Sequence, residues 1–251
     1  KCTNEIYDRF GQNYQLYGTL FFLTAFLLCI FFGYYLNGKS FSGYKELLKD
    51  TGYSSNFAEQ YSMPVCLINL GVYGIVFLAY INLIISLTPG AGFTGATVGV
   101  ILASLTFTAI GQHPKNVWPI LAGYMTLYMV TQIICYATGR EIAWSLSTQG
   151  YINGVAFATG LCPIIGRYGI RAGIVAGFLC ASMCTATRDL HGGLVLYNGG
   201  FTAGITALIL LPILEHYVPS VREELKDPKI DFRSMITIVQ TSTTDKKKNR
   251  P

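Results

Sequence analysis

Long stretches of this 251-residue chain carry almost no acidic side chains. Between Gln60 and Leu214 the only acids are Glu141 and Asp189. Charged residues make up 12% of the chain, against about 25% in soluble domains. Several apolar runs reach the roughly 20 residues that a helix needs to cross a bilayer. The sequence therefore predicts an all-α, polytopic integral membrane bundle.

Seven apolar segments are predicted, and the last three are shorter than the first four. At 1.5 Å per residue, about 15 residues reach roughly 22 Å, which is short of a hydrocarbon core about 30 Å thick. The short segments are therefore interpreted as half-spans, re-entrant elements or spans extended by Gly-rich flanks. The predicted segments are 18–36, 64–87, 93–111, 117–137, 151–165, 172–186 and 201–217.

The predicted transmembrane domain covers residues 1–217 and includes a polar loop at 37–60. Residues 218–251 are polar and aperiodic, so we expect a disordered tail. Fourteen of the 18 Lys and Arg residues fall on one side of a seven-crossing arrangement, and eight of them lie in this tail. The positive-inside rule then predicts a cytoplasmic C-terminus, in the plasma membrane. The chain starts without Met or a signal-peptide pattern, and we interpret it as a fragment of a longer protein.

The seven cysteines and three histidines form no metal or catalytic motif. The cysteines lack a CxxC pair and mostly lie inside apolar segments, which is typical of small packing residues. The histidines are scattered without HxxxH or HExxH spacing. Since the cations lie in loops and in the tail, the net charge of +5 does not indicate nucleic-acid binding. We expect no cofactor, no metal and no enzymatic activity, and the lipid bilayer as a partner.

Three polar, Gly-rich islands interrupt the apolar background. The first is TPGAGFTGATVG at 88–99, where Thr94 and Thr97 offer hydroxyls and Gly95 and Gly99 form a GxxxG pair. Small residues of this kind allow close helix packing, and they also suit a broken helix that lines a pore. Both interpretations stay open. The glycines predicted to break this helix are Gly90, Gly92 and Gly95.

The second island is GQHPKNVWPILAG at 111–123. Pro114 disfavours helix at the residue before it, and a second proline follows five residues later. We therefore expect His113, Lys115 and Asn116 at a helix start, whose N-terminus attracts anions and polar oxygens. An ordinary interfacial loop, with Lys115 as a positive-inside anchor, is the alternative.

The third island is LHGGLVLYNGGFTAGITA at 190–207. Each interior glycine costs a helix about 1 kcal/mol against Ala, so this density predicts a break or a close helix contact. The Asn198 amide can both donate to and accept from a small polar solute. We expect the polar residues of this island to line a solute pathway or to form a polar clasp between helices. The residues concerned are His191, Tyr197 and Asn198, with Gly193, Gly199 and Gly200 as break positions.

The runs GQHPKNVWPILAG, LCPIIGRYGIRAGIVAGFL and LHGGLVLYNGGFTAGITALILLPILE resemble the C-terminal half of an uncharacterised multipass membrane family, catalogued as domain of unknown function 1576. The resemblance covers residues 60–217. Family members typically read LYNNGF where this chain has Asn198-Gly199-Gly200, so the second amide is missing. The family has two related halves, which implies that this chain corresponds to one half of an inverted-repeat, transporter-like fold.

A shorter stretch, GLxxYNGxxxG at 193–204, is similar to a segment of urea transporters. That resemblance implies passive passage of a small neutral solute between two inverted repeats. It would place Tyr197 and Asn198 in a half-helix beside a narrow pore.

The sequence favours a channel or transporter for a small polar solute, with a pathway lined by broken Gly-rich helices. Coupled carriers usually place carboxylates in their spans, and none lies deep in a segment here, so passive conduction ranks above active transport. The three islands are expected to converge around a wet channel, in a homo-oligomer or beside a missing N-terminal repeat half. A non-transporting scaffold or partner subunit is the alternative, and a membrane-embedded enzyme is less favoured.

Overall fold

The computed structural model describes residues 14–53, 55–88, 93–141, 145–187 and 195–219. Five helical stretches within them are long and apolar enough to cross a membrane, so the chain is a polytopic helical membrane protein. The helices are α1 (Gln15–Leu36), α2 (Tyr44–Leu47), α3 (Phe57–Gln60), α4 (Met63–Leu87), α5 (Gly95–Thr106), α6 (Pro114–Thr138), α7 (Gln149–Ala158), α8 (Cys162–Ala186) and α9 (Val195–Tyr217), with 3-10 helices at Phe107–Ala109 and Thr159–Leu161.

Helices α1 and α4 form an antiparallel pair. At one end Gln15 and Thr19 donate hydrogen bonds to the Asn82 side-chain oxygen, at 3.1 and 3.0 Å. At the other end Gly33 lies against Ile68, because it has no Cβ to separate the two helices. Much of the remaining surface of α1 exposes large apolar side chains, which suits contact with lipid chains.

Helices α6 and α8 cross in parallel at a contact made by small residues. Gly177 packs against the backbone of Ile120, and Gly123 packs against Gly177. One turn further on, the Tyr124 hydroxyl donates to the Cys180 sulfur at 3.4 Å. Glycines at such crossings let two helix backbones approach closely, as is common in membrane bundles.

Helices α7, α8 and α9 alternate in direction. Cys184, near the end of α8, contacts Gly150 and Gly154 near the start of α7, so α8 turns back along α7. At its other end α8 holds Arg167, which pairs with Glu215 of α9 at 3.5 Å. Helix α9 therefore runs antiparallel to α8 and parallel to α7.

The bundle has two ends, which we name after Thr94 and Gln112. At the Thr94 end, Ser147 binds Thr88 through its N–H (3.2 Å) and its hydroxyl (2.9 Å). At the Gln112 end, the backbone of Gly52 in the 37–62 connection packs against the residue that precedes Gln112. Helices α5 and α7 both begin at the Thr94 end and point towards the Gln112 end.

The described helix break lies in α8 and not in α9. Gly169 has φ +86°, a conformation that costs other residues free energy, and it separates a short first piece of α8 from the long second piece. Helix α9 instead continues through Gly199 and Gly200, so the predicted breaks at these two glycines are wrong. Gly199 is small for another reason, since a Cβ there would lie 2.9 Å from the Asn153 carbonyl oxygen of α7.

Four predicted segment boundaries also need correction. The segment predicted at 172–186 lies in a helix that begins at Cys162, and the one predicted at 201–217 begins at Val195, so neither is a half-span by length. The fourth segment begins at Pro114 and not at 117, because proline at the first helical position gives up no helix hydrogen bond. The segment predicted at 151–165 ends as an α-helix at Ala158 and tightens into a 3-10 helix. The tail at 220–251 lies outside the described residues.

Candidate solute pathway

Helix α5 carries hydroxyls along one buried face. Thr94 at its N-cap, Thr97 in the first turn and Ser104 near its end recur at helical spacing, so they share that face. Buried Ile101 lies between them on the same face. Helix α7 and the 3-10 turn after it supply the partners of these hydroxyls. We call this shared surface the polar seam, made of Thr94, Thr97 and Ser104 with Gln149, Asn153 and Thr159.

At the Thr94 end, the polar seam forms a hydrogen-bonded group that we call the Thr94 cluster. The Gln149 side-chain oxygen accepts from Thr94 at 3.0 Å and from Thr97 at 3.4 Å. Its nitrogen donates to the Asn153 side-chain oxygen at 2.7 Å. All four side chains are buried. The Gln149 amide thus uses both its oxygen and its nitrogen within the protein.

At the other end, the seam meets a second group, the Gln112 cluster, made of Asn69, Tyr73, Ser104, Gln112 and Thr159. Each of these residues is at most 1% exposed. The Tyr73 and Ser104 hydroxyls lie 2.5 Å apart, and Ser104 lies 3.4 Å from the Thr159 hydroxyl. Thr159 in turn donates to the Ala156 carbonyl at 2.6 Å.

The Gln112 cluster retains hydrogen-bonding capacity that the described protein groups do not use. Asn69 donates from its nitrogen to the Gln112 backbone oxygen at 2.9 Å, but its own oxygen has no partner. Both the nitrogen and the oxygen of the Gln112 side chain are also buried without a partner. A buried polar group without a partner costs about 1–3 kcal/mol, so these atoms are the candidate contact point for water or a polar ligand.

Two helix ends position this cluster. Ser104 lies in the last turn of α5, and Thr159 begins the 3-10 turn that follows α7. Tyr73 lies ten residues into α4, about 15 Å from its first residue at 1.5 Å per residue. The cluster is therefore inside the bundle, where two short helices stop and the chain turns back.

The family model of "Protein of unknown function (DUF1576)" matches residues 36–216, a range that contains both clusters. The chain belongs to this family. The search of curated proteins and the search of solved structures find no match to this DUF1576 protein. The comparisons give no support to the resemblance to urea transporters.

In this DUF1576 protein, His113 and Asn116 hold the start of α6 against the 37–62 connection. The His113 Nε2 lies 3.0 Å from the Asp50 carbonyl oxygen. The His113 N–H donates to the Asn116 side-chain oxygen at 2.9 Å, and the His113 ring faces the Asn116 backbone N–H in return, as a capping box. Burial lowers the pKa of His113 from its usual 6.5. These two residues therefore tie the 37–62 connection to the start of α6.

Asn198 joins α8 to α9. Its nitrogen donates to the Cys184 carbonyl at 3.0 Å, and its oxygen accepts from Thr187 at 2.6 Å. Of the two roles predicted for this amide, the structure shows the contacts of the helix clasp.

The other predicted site residues fall into three groups. Lys115 is exposed beside the buried Asn116 and does not reach either cluster. Thr94 and Thr97 belong to the seam, and Gly95 begins α5 on its exposed side, where a Cβ would meet nothing within 4 Å. Gly90, Gly92, His191 and Gly193 lie outside the described residues, and the side chain of Tyr197 is not described.

The three islands are connected only in part. Gly199 of the third island touches Asn153, which belongs to the cluster around Thr94 of the first island. His113 of the second island lies instead at the opposite end of α5, bound to Asp50. The described residues of the three islands therefore lie along one seam, at its two ends, and convergence around a wet channel stays a prediction.

Sequence reasoning missed most residues of the Gln112 cluster. Asn69 and Tyr73 lie inside an apolar run of α4, where a single amide and a tyrosine four residues apart carry a weak signal. Gln112 lies inside the second island, but its amide is a weaker signal in the sequence than the histidine beside it. The spacing of Thr94, Thr97 and Ser104 was the signal that could have located the seam.

Proposed function

We propose that the protein provides a passive pathway for a small, uncharged polar solute, and that this pathway follows the polar seam between α5 and α7. The observation that carries the proposal is the Gln112 cluster, in which Asn69 and Gln112 are fully buried with unused polar atoms. In a protein surrounded by lipid such atoms are costly unless water or a solute reaches them. A wet passage supplies those partners.

The charge of the seam supports an uncharged solute. Every side chain of the two clusters is neutral, and none is a carboxylate, a lysine or an arginine. A bare ion would lose its hydration here without an opposite charge to compensate it, which is strongly unfavourable. Carriers that couple transport to an ion or a proton usually place carboxylates within the membrane, so the neutral seam favours passive movement.

The same proposal assigns seven membrane segments to the chain. Helix α5 spans about 18 Å at 1.5 Å per residue, and with its 3-10 turn it crosses from the Thr94 end towards the Gln112 end, as α7 does with its own turn. Alternation of α1, α4, α5, α6, α7, α8 and α9 then gives an odd number of crossings. Lys39, Lys45 and Arg171 lie in or beside connections at the Gln112 end, which we assign to the cytoplasm of a plasma membrane.

The partners we propose are lipid, the solute and a further copy or repeat half. Gly95 and Gly99 on α5, and Gly200 and Gly204 on α9, are exposed, and a Cβ on any of them would meet nothing within 4 Å. Such GxxxG faces suit packing against another membrane helix.

Swelling of proteoliposomes tests the pathway. Vesicles containing the purified protein are transferred into an isotonic solution of a small neutral solute. Entry of the solute draws in water, and the swelling rate is followed by light scattering. We expect faster swelling than in empty vesicles, and we expect Ser104→Leu to remove the increase because it fills the seam where α5 meets Tyr73.

Ser86→Leu is the matched control, because Ser86 is exposed near the end of α4 and lies outside the seam. It should swell like the wild type. Equal swelling of empty, wild-type and Ser104→Leu vesicles for every solute would contradict the proposal and favour a non-transporting scaffold.

A further inference from the structure

The geometry of the Gln112 cluster points to a preference for molecules that carry a primary amide group. This inference rests on the proposed pathway and names the chemical class of solute that the pathway admits. It depends on which hydrogen-bond donors and acceptors remain unused once the contacts within the protein are counted.

The hydroxyls of the cluster have little donor capacity left. Thr159 donates to the Ala156 carbonyl oxygen, so it can act only as an acceptor towards Ser104. Ser104 then donates to Thr159 and accepts from Tyr73. The three hydroxyls form a chain that ends on a backbone oxygen, and each hydroxyl hydrogen is used.

The amides have the opposite balance. Asn69 is fixed in orientation because its nitrogen binds the Gln112 backbone oxygen, and its unused oxygen can only accept. Gln112 leaves a nitrogen that donates and an oxygen that accepts. The open capacity of the cluster is therefore one donor group beside two acceptor oxygens.

A primary amide complements this set. Its carbonyl oxygen accepts from the Gln112 nitrogen while one of its N–H groups donates to the Gln112 oxygen, which is the reciprocal pairing of two planar carboxamides. Its second N–H remains for the Asn69 oxygen. A single hydroxyl donates only one hydrogen bond. A diol matches this set of donors and acceptors only after its C–C and C–O torsions are fixed, whereas the amide is planar before it binds.

The test compares acetamide with ethylene glycol, two neutral solutes of similar size, in the proteoliposome swelling assay. We expect the wild type to conduct acetamide about tenfold faster than ethylene glycol, after the rate of empty vesicles is subtracted, since fixing the torsions of the diol costs about that factor. Gln112→Leu should remove most of this preference. Gln112→Asn keeps a carboxamide and should retain part of it.

Thr206→Val is the matched control, because it removes a buried hydroxyl that bonds within α9 and towards α8, away from the cluster. Its selectivity should equal that of the wild type. Equal rates of the two solutes in the wild type, or water permeation without either solute, would overturn the amide preference while leaving a passage in place. Failure of every solute to enter would instead contradict the proposed function itself.

Discussion

The two polar clusters at the ends of the seam are built from similar residues but differ in how far they are satisfied. In the Thr94 cluster the Gln149 amide serves two threonines and one asparagine. In the Gln112 cluster the corresponding amide lies near the Tyr73 hydroxyl, but neither its nitrogen nor its oxygen forms a well-aligned hydrogen bond with a described residue. A buried network in which every polar group is bonded fixes the helices in place. A network with unused polar atoms is costly until water or a solute bonds to them. The comparison therefore separates a structural end of the seam from the end where we propose that the solute is recognised.

The largest effect should come from replacing the two glutamines by leucine. Gln149→Leu leaves two threonine hydroxyls and Asn153 buried with fewer partners, and we expect it to lower the free energy of unfolding by about 3 kcal/mol or more. Gln112→Leu removes a side chain whose nitrogen and oxygen lie near the Tyr73 hydroxyl but have no well-formed hydrogen bond, so its stability should stay within about 1 kcal/mol of the wild type. Thermal unfolding in detergent measures both.

In transport the order of the two glutamine variants should be reversed, with the larger effect on solute preference at Gln112. Gln112→Leu is expected to fold well and lose the acetamide preference. Equal destabilisation by the two substitutions would remove the distinction between the clusters.

A smaller effect is expected at the α8–α9 clasp, which lies outside the seam. Asn198→Leu loses its bonds to Cys184 and Thr187, which should cost about 1–2 kcal/mol of stability. Because neither partner belongs to the seam, the ratio of acetamide to ethylene glycol flux should stay at its wild-type value. A changed ratio in folded Asn198→Leu protein would move the recognition site towards α9.

The exposed face of α5 provides a gain of stability rather than a loss. A Cβ on Gly99 would meet nothing within 4 Å in the single chain, so in detergent that keeps the protein monomeric Gly99→Ala should stabilise the helix by up to about 1 kcal/mol through its higher helix propensity. Gly177→Ala is the contrast, because its Cβ would collide with the Ile120 backbone in the α6–α8 crossing. A loss of stability in Gly99→Ala, measured by thermal unfolding, would show that another helix covers this face.

The smallest effect is the dependence of stability on pH. It distinguishes the Gln112 end, where His113 lies, from the Thr94 cluster, which contains no titratable side chain. Burial lowers the pKa of His113 below 6.5, so the unfolded chain takes up a proton at a higher pH than the folded one. Stability from this residue is therefore complete above about pH 6.5 and decreases as the pH falls below it. The melting temperature of the wild type should fall more between about pH 7.5 and about pH 5.5 than that of His113→Gln. An identical decrease of the melting temperature in the wild type and in His113→Gln would show that the pH-sensitive group is not His113.

Much of the fold could be predicted from hydrophobicity alone. The ends of α1 and α4 lie within three residues of their predicted positions, because long uncharged runs determine where lipid-crossing helices stop. The predicted helix breaks at Gly199 and Gly200 were wrong for a physical reason. A helix tolerates Gly199 because another helix packs closely against it, and it tolerates Gly200 because no neighbouring residue needs a side chain there. The break at Gly169 depends on a positive φ, which the sequence does not reveal among so many glycines.

The candidate site was harder to predict because it depends on which polar atoms find partners. Thr94, Gln112 and Asn198 look equally polar in the sequence. Only the packing of α5 against α4 and α7 shows that Gln149 is satisfied and that Gln112 is not. Hydrogen bonds between residues 43 or 55 positions apart leave no periodic trace.

The most direct test of the wet seam is the reactivity of Ser104→Cys in reconstituted vesicles towards a small, membrane-impermeant thiol reagent. Peptide mass spectrometry compares modification at position 104 with modification of Cys180, which is buried outside the seam. The account predicts much faster modification at position 104, slowed when acetamide is present. Equal protection of both positions would contradict a water-filled passage between α5 and α7.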